Sequence, residues 1–161
     1  MQSFEAQVSW ERGAQPFTDK RYSRAHAWQF DGGLRVPASS SPLSVPLPMS
    51  EAANVDPEEA LVAAVSSCHM LFFLSIAAQR GFVVDSYTDA ALGTLDTNSE
   101  GRKAMTVITL RPSIVFSGER TPSDEELVAI HYVAHERCYI ANSIKADIVI
   151  QGEQRRVQAT Q

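Results

Sequence analysis

The sequence predicts an α+β fold built on antiparallel sheet. Three observations support this class: strand-like segments and turn signals fill the first 36 residues, one long apolar helix starts at residue 57, and two strand segments, a second helix and a closing strand complete the chain. Strands joined by short turns pair antiparallel, and helices set between groups of strands are typical of α+β proteins.

The N-terminal part predicts strands joined by turns. Residues 4–10 alternate between apolar and polar side chains, residues 22–30 are rich in aromatic side chains, and Asp31-Gly32-Gly33 is a hairpin turn signal that leads into residues 34–36. Residues 37–48 hold four prolines and four serines. We therefore expect a loop there.

The first helix has clear signals at both ends. Asp56 is the predicted N-cap, Pro57 takes the first helical position, and Gly81 ends the helix. Apolar residues run all the way round it, so we expect burial on most sides at the centre of the fold. Residues 61–78 carry no formal charge and match a membrane span in length. Because they include three serines and a histidine and lack flanking Lys/Arg asymmetry, we expect a core helix and no membrane.

Further elements are predicted in the second half of the chain. Residues 98–101 form a turn between two strands, and Ser123 begins a capping box. No repeat, low-complexity block or linker interrupts the sequence, so we predict a single domain over residues 1–161. The predicted elements are strands over 83–95 and 105–116, a helix from 123 to about 137, a short turn or helix from 140, and a strand over 146–150.

Charge and composition exclude some classes of partner. Nineteen acidic and fourteen basic residues give a net charge of -5, and the basic residues are scattered along the sequence. This argues against nucleic acid and anionic membranes as partners. The N-terminus has no apolar run of seven residues, so we expect no secretory signal and a cytoplasmic location. A cysteine pair in that reducing compartment is more often catalytic or metal-binding than structural.

The chain contains two cysteines, Cys68 and Cys138, seventy residues apart. Their number and spacing exclude a disulfide-dense scaffold and a CxxC motif. Cys68 falls in the middle of the first helix, where a free cysteine is most simply a small buried apolar residue. Cys138 follows His131 and His135 at spacings that place the three side chains on one helical face.

That face is compatible with two kinds of site. In the first, His131, His135 and Cys138 ligate zinc, with Cys68 or His69 as a further ligand, although the usual short paired spacing is missing. In the second, Cys138 is a resolving thiol for a reactive Cys68. Because the thiolate is the nucleophile and a free cysteine has a pKa of about 8.5, a reactive cysteine needs a nearby cation.

Two segments resemble the paired signature of the OsmC/Ohr family of thiol peroxidases. Residues 56–70, DPEEALVAAVSSCHM, place Glu58 ten residues ahead of Cys68, as the family motif does. Residues 134–138, AHERC, match the family's A-H-x-x-C segment. The N-terminal YSRAHAWQFDGG, residues 22–33, is similar to a divergent subgroup of this family. The resemblance covers about residues 4–151.

The resemblance implies an OsmC-like fold, with antiparallel sheets around a long buried helix, and a peroxidase mechanism. Cys68 would attack the O–O bond of a hydroperoxide, release an alcohol and become a sulfenic acid, which Cys138 would convert to a disulfide. A small dithiol, such as a lipoyl-type reductant, or a cellular thiol would then reduce that disulfide. No bound cofactor is implied, and organic hydroperoxides are expected in preference to hydrogen peroxide.

The resemblance also implies an arginine beside the reactive cysteine, held by a glutamate in a bidentate pair. Glu58 matches the family glutamate by position, Arg24 lies in the region from which one branch supplies the arginine, and Arg35 is the reserve candidate. Two residues depart from the family pattern, since Tyr139 replaces a usual proline and His69 replaces an aromatic or aliphatic residue. These departures leave the preferred substrate and reductant open.

Helix geometry bears on the oligomeric state. Glu58 and Cys68 are ten residues apart, roughly 15 Å along the helix axis, which is too far for one arginine to contact both directly. We therefore expect a partner subunit to complete the site in an intertwined homodimer, as the resemblance also implies. The rival functional class is a dimeric binding or structural protein that keeps the fold without peroxidase turnover.

Overall fold

The computed structural model describes residues 1–156. Contacts within this part of the chain define two compact units, one up to Ala60 and one from Leu61 onward. The described residues form two α-helices, a short 3-10 helix and nine strands in three sheets. The predicted α+β class is confirmed, and the assignment of a single domain stays a prediction.

The first unit contains one antiparallel sheet. Its strands are β1 (Ala6–Ser9), β2 (His26–Phe30) and β3 (Arg35–Ala38), with β2 in the centre. The predicted hairpin turn joins β2 to β3, and Gly33 adopts a φ of 86° there, a conformation that favours glycine. Residues 39–48 form turns and bends without a regular element, as expected of the proline-rich segment.

Helix α1 spans Pro57–Gln79, close to its predicted bounds. Asp56 caps it, because its Oδ1 accepts a hydrogen bond of 2.8 Å from the backbone N–H of Glu59. The Glu59 carboxylate in turn accepts one of 3.3 Å from the Asp56 N–H. Gly81, with a φ of 79°, follows the helix end.

Burial of α1 differs from the prediction. By the described residues the helix is buried along one stripe, formed by Val65, His69, Phe73, Ile76 and Ala77. Leu71, on another face, is 60% exposed. The helix is long and apolar enough to cross a membrane, with a mean hydropathy of 2.0 over its most apolar window. One stripe of α1 is thus buried in the protein core. The other apolar residues of the helix are left uncovered by the described residues of the chain.

Each of the two long strands predicted after α1 is broken into two strands of different sheets. Pairing is antiparallel within β4/β7 and within β5/β6. Both breaks lie at one corner, where the backbone N–H of Arg111 donates a hydrogen bond of 2.6 Å to Asp89 Oδ1. The strands are β4 (Val83–Asp89), β5 (Leu92–Thr97), β6 (Lys103–Leu110) and β7 (Pro112–Ser117).

Helix α2 spans Asp124–Arg137, and its predicted capping box is confirmed. Ser123 Oγ accepts a hydrogen bond of 3.2 Å from the Glu126 N–H, while the Ser123 N–H donates one of 2.9 Å to the Glu126 carboxylate. After a 3-10 turn, strand β8 runs parallel to β6 and strand β9 parallel to β7. These parallel pairs and the whole of β9 were not predicted. The elements are the turn Ala141–Ser143, β8 (Asp147–Ile150) and β9 (Glu153–Arg156).

The main core of the second unit joins the two helices. Phe73 and Ile76 of α1 belong to the same buried cluster as Ile130 and Ala134 of α2, and Phe116 of β7 completes it. Burial of this much apolar surface fixes α1 against α2. The packing sets the positions of the side chains that each helix carries toward the other.

Candidate functional site

Folding brings the two cysteines together. Cys68 lies in the middle of α1 and is half-buried, whereas Cys138 is fully buried at the residue that ends α2. Both thiols are free, and the Cys68 thiol is within hydrogen-bonding reach of the Cys138 thiol. A pair seventy residues apart in sequence is therefore assembled by the packing of two helices.

The two thiols have different surroundings. Burial and, to a smaller extent, the hydrogen bond with Cys68 raise the pKa of Cys138 to about 11. The backbone N–H of Ala141 donates to Cys138 Sγ at 3.4 Å, which acts in the opposite direction without cancelling the effect of burial. Cys138 is thus a protonated thiol at neutral pH. Cys68 is the more exposed member of the pair.

A buried histidine pair lies beside the cysteines. His69 Nε2 and His131 Nδ1 are 3.0 Å apart, and the two rings are nearly parallel with an interplanar angle of 9°. Burial, followed by the nearby His135, lowers the pKa of His69 to about 4. Burial and His69 lower the pKa of His131 to about 4 as well. Both imidazoles are therefore neutral at pH 7, and one donates to the other.

The predicted zinc ligands do not form a metal site. Within residues 1–156, no three His, Cys, Asp or Glu side chains are arranged to hold a metal ion. His131 is hydrogen-bonded to His69, and Cys138 is paired with Cys68, so the spacing on α2 does not gather the three ligands. His135 is half-buried, and its Nδ1 has no hydrogen-bond partner in the described part of the chain.

Cys68 has no cationic partner among the described residues of its own unit. Among the described residues from Leu61 onward, no arginine or lysine donates a hydrogen bond to Cys68. The neutral His69 and His131 supply no positive charge either. A reactive thiol requires a nearby positive charge, because a cation stabilises the thiolate.

Arg24 and Glu58 line one cavity of about 510 Å³ in the first unit. One wall of this cavity is aromatic, with Phe17 and Tyr22 stacked at a centroid distance of 4.7 Å and Trp10 packed against both. Serines of the loop after β3 line it as well. The sequence motifs did not predict this cavity, and its only signal was the density of aromatic side chains before β2.

The expected ion pair between Arg24 and Glu58 is not formed in the described residues. The Arg24 guanidinium lies over the Tyr22 ring, 3.7 Å from its centroid, and Nη1 donates to the carbonyl oxygens of Lys20 and Tyr22. These contacts hold Arg24 against its own segment, so the guanidinium is oriented without a carboxylate. Arg35, the reserve candidate, is an exposed residue of β3 and does not line the cavity.

The histidine pair was not predicted from the sequence, although both residues were noted as candidate zinc ligands. The available signal was the position of His69, which falls on the same helical stripe as Val65 and Phe73. A polar residue on an otherwise apolar buried stripe requires a buried partner. The sequence could not identify that partner as His131, because the pairing depends on how the two helices pack.

Comparison with known proteins agrees with the fold and the cysteine motifs. The structure superimposes on an OsmC-like protein of unknown function from Vibrio cholerae with a TM-score of 0.93 and 52% sequence identity, covering 95% of this chain and 100% of the other. An organic hydroperoxide resistance protein from Elizabethkingia anophelis gives a TM-score of 0.68 at 14% identity, with 98% of each chain covered. At that identity the likeness shows the fold alone.

A third structure, the organic hydroperoxide resistance protein OhrB of Bacillus subtilis, gives a TM-score of 0.56 at 18% identity and covers 94% of this chain and 98% of the other. No protein with a curated description matches the sequence. The sequence model of the OsmC-like protein family matches residues 50–153, which include both cysteines and Glu58. The chain therefore belongs to the OsmC-like family, which includes organic hydroperoxide resistance proteins.

Proposed function

We propose that this protein is a thiol-dependent peroxidase that reduces organic hydroperoxides to alcohols in the cytoplasm, as a defence against oxidative stress. The observation that carries the proposal is the cysteine pair: an accessible Cys68 beside a buried, protonated Cys138. Membership of a family that includes organic hydroperoxide resistance proteins supports it. The difference in exposure supports Cys68 as the thiol of the first attack and Cys138 as the thiol of the second.

The reaction balances with these two thiols and an external dithiol. The Cys68 sulfur attacks one oxygen of the hydroperoxide, the O–O bond breaks, and the alcohol leaves with a proton. The resulting sulfenic acid reacts with the Cys138 thiol, which forms an S–S bond and releases water. A small dithiol, for example a lipoyl-type compound, then exchanges with the disulfide and leaves oxidised. No bound cofactor takes part in this scheme.

The proposed site needs a cation at the Cys68 thiolate. We assign this role to Arg24, with Glu58 as the carboxylate that holds it, and propose that a second copy of the chain supplies the guanidinium in a homodimer. Both residues line the same cavity, and the Arg24 guanidinium has no carboxylate partner in the described chain. If the ion pair between Arg24 and Glu58 forms only in the homodimer, neither group would have an oppositely charged partner in a single chain.

The exposed side of α1 supports the homodimer. Leu71 is 60% exposed, and exposed alanine and serine residues at positions 64, 67, 75 and 78 lie along the same side of the helix. Small residues allow another backbone to approach closely, and apolar surface of this kind favours association. A second copy of the chain is the occupant that the proposed site also requires.

Turnover measurements test the proposal. Purified protein is mixed with tert-butyl hydroperoxide and dihydrolipoamide, and hydroperoxide consumption is followed. We expect the wild type to turn over and Cys68→Ser to be inactive. Without the dithiol, Cys138→Ser should reduce one equivalent of hydroperoxide and stop as a sulfenic acid that dimedone captures. Mass spectrometry of the oxidised wild type should show a Cys68–Cys138 disulfide.

Two results would contradict the proposal. Wild-type protein that neither consumes the hydroperoxide nor oxidises at Cys68 would favour a binding or structural role for the same fold. Full activity in Cys68→Ser would remove Cys68 from the mechanism. Substitution of Ser99→Ala, at an exposed position in the turn between β5 and β6, provides a control that should leave turnover unchanged.

A further inference from the structure

Cys68 and His69 are neighbours in α1 and contact α2 at two different places. Cys68 reaches Cys138 at the end of α2, whereas His69 is hydrogen-bonded to His131, seven residues earlier. Seven residues of helix correspond to about 10 Å along the axis. Two contacts this far apart fix both the tilt and the rotation of α1 against α2, which one contact would leave adjustable.

The contact between the histidines is directional as well as buried. His69 is 1% exposed and His131 is 7% exposed, and their Nε2 and Nδ1 atoms are 3.0 Å apart. The Phe73 ring packs against His131 at a centroid distance of 4.6 Å. An apolar pair would fill this space without the cost of desolvating polar groups. The hydrogen bond favours one relative position of the two rings, whereas packing alone would allow the rings to slide past each other.

We propose that His69 and His131 are positioning residues for the disulfide-forming step, because their hydrogen bond holds Cys68 against Cys138. This inference rests on the proposed function. In that step the Cys138 sulfur attacks the Cys68 sulfur, the S–OH and S–H bonds break, and water leaves as the S–S bond forms. The earlier attack on the hydroperoxide does not involve Cys138. Loss of the histidine bond should therefore slow the second step and leave the first unchanged.

The structure allows variants that separate the hydrogen bond from the packing. His131→Phe keeps the ring and removes the nitrogen, whereas His131→Asn keeps a polar group near the position of Nδ1. On the other helix, His69→Gln keeps a polar group near the position of Nε2, and His69→Leu removes it. Tyr132→Phe, the next residue of α2, is the control, since Tyr132 is exposed and no hydrogen bond joins it to the pair in the described residues.

Each variant is reduced, checked for cooperative thermal unfolding, and oxidised in two ways. One equivalent of tert-butyl hydroperoxide tests both steps, with dimedone capture for sulfenic acid formation and alkylation with mass spectrometry for the disulfide. One equivalent of diamide forms the disulfide without a peroxide, because one thiol adds to its N=N bond and the second thiol displaces the resulting hydrazine. The diamide measurement therefore tests positioning even if the protein has no peroxidase activity.

We expect His131→Phe to slow disulfide formation about tenfold with both oxidants, which corresponds to about 1.4 kcal/mol and is near the net value of a buried hydrogen bond. Sulfenic acid formation should be unchanged, and His131→Asn should recover most of the lost rate. Wild-type rates in His131→Phe overturn the proposal. Equal slowing in His131→Phe and His131→Asn also overturns it, because packing would then explain the loss. If His131→Phe does not fold, His69→Leu and His69→Gln give the same comparison.

Discussion

The Ser66 hydroxyl donates a hydrogen bond of 2.5 Å to Asp89 Oδ2, which fastens α1 to the end of β4. The other carboxylate oxygen accepts the bond from the Arg111 N–H at the sheet corner. One half-buried carboxylate thus connects the central helix to both places where the chain passes between sheets. Burial and the charge of Asp89 also raise the pKa of Tyr87, in that order of importance.

We expect Asp89→Ala to lower the free energy of unfolding by about 2 kcal/mol, because it leaves two donors without their charged acceptor. Asp85, on the same strand, provides the control: its carboxylate accepts a bond of 2.8 Å from Ser117 at an exposed site. Asp85→Ala should cost less than about 0.5 kcal/mol. Urea unfolding followed by circular dichroism measures both, and equal losses would contradict the role assigned to Asp89.

Arg24→Met should lower kcat/KM for tert-butyl hydroperoxide by about 100-fold or more, since the reaction would lose the cation that stabilises the thiolate and the developing negative charge. Arg35→Met should stay close to the wild type, because Arg35 is an exposed strand residue. Steady-state kinetics with dihydrolipoamide compares the two. A large loss in Arg35→Met with normal activity in Arg24→Met would transfer the role to Arg35.

The buried histidines predict a loss of stability in mild acid. The pKa values of His69 and His131 are lowered to about 4 in the folded chain, against about 6.5 when unfolded. The unfolded chain therefore binds more protons between pH 6.5 and 4, so the stabilisation is fully present above about pH 6.5 and is lost as the pH falls through this range. The effect is on the order of a few kcal/mol for the pair.

Urea unfolding between pH 7.5 and pH 5 measures this effect. The wild-type free energy of unfolding should fall steadily, whereas a folded chain carrying His69→Leu and His131→Phe should show a shallower slope. His26→Gln, outside the pair, is the control and should keep the wild-type slope. The same slope in the double variant would show that other groups cause the pH dependence.

Leu71→Lys should weaken the homodimer, because it places a charge on the exposed apolar side of α1 that we assign to the second copy. Val128→Lys is the matched control, since Val128 is an exposed apolar residue of α2, with 68% of its surface accessible. Analytical ultracentrifugation over a range of concentrations gives the association constants. A monomeric wild type, or equal effects of the two substitutions, would contradict the assignment.

Helix ends were predictable because their signals are local. The Asp56 cap and the Ser123 capping box are hydrogen bonds between residues three positions apart, so the sequence contains all of their partners. The change of sheet at Arg111 was not predictable in this way. Apolar alternation continues through the corner, where the backbone N–H of Arg111 donates to Asp89, twenty-two residues away.

The candidate site shows the same difference between local signals and contacts that depend on packing. The family motifs identified Cys68 and Cys138, and the structure brings the two thiols together. The described residues contain no group of three zinc ligands, because spacing on one helix does not show which neighbour each side chain meets across the core, and His131 meets His69. Burial of α1 on most sides was expected from its composition, which does not show how many sides of a helix the chain itself covers.

The two cysteines differ in how firmly the backbone holds them. Cys68 lies within a continuous helix, while Cys138 follows the last residue of α2 and has an extended backbone with φ −67° and ψ 108°. Any adjustment that accompanies disulfide formation should therefore fall on the turn after Cys138, where Tyr139 is 72% exposed. If the proposed disulfide forms, the exposed surface around Tyr139 would therefore differ between the reduced and the oxidised protein.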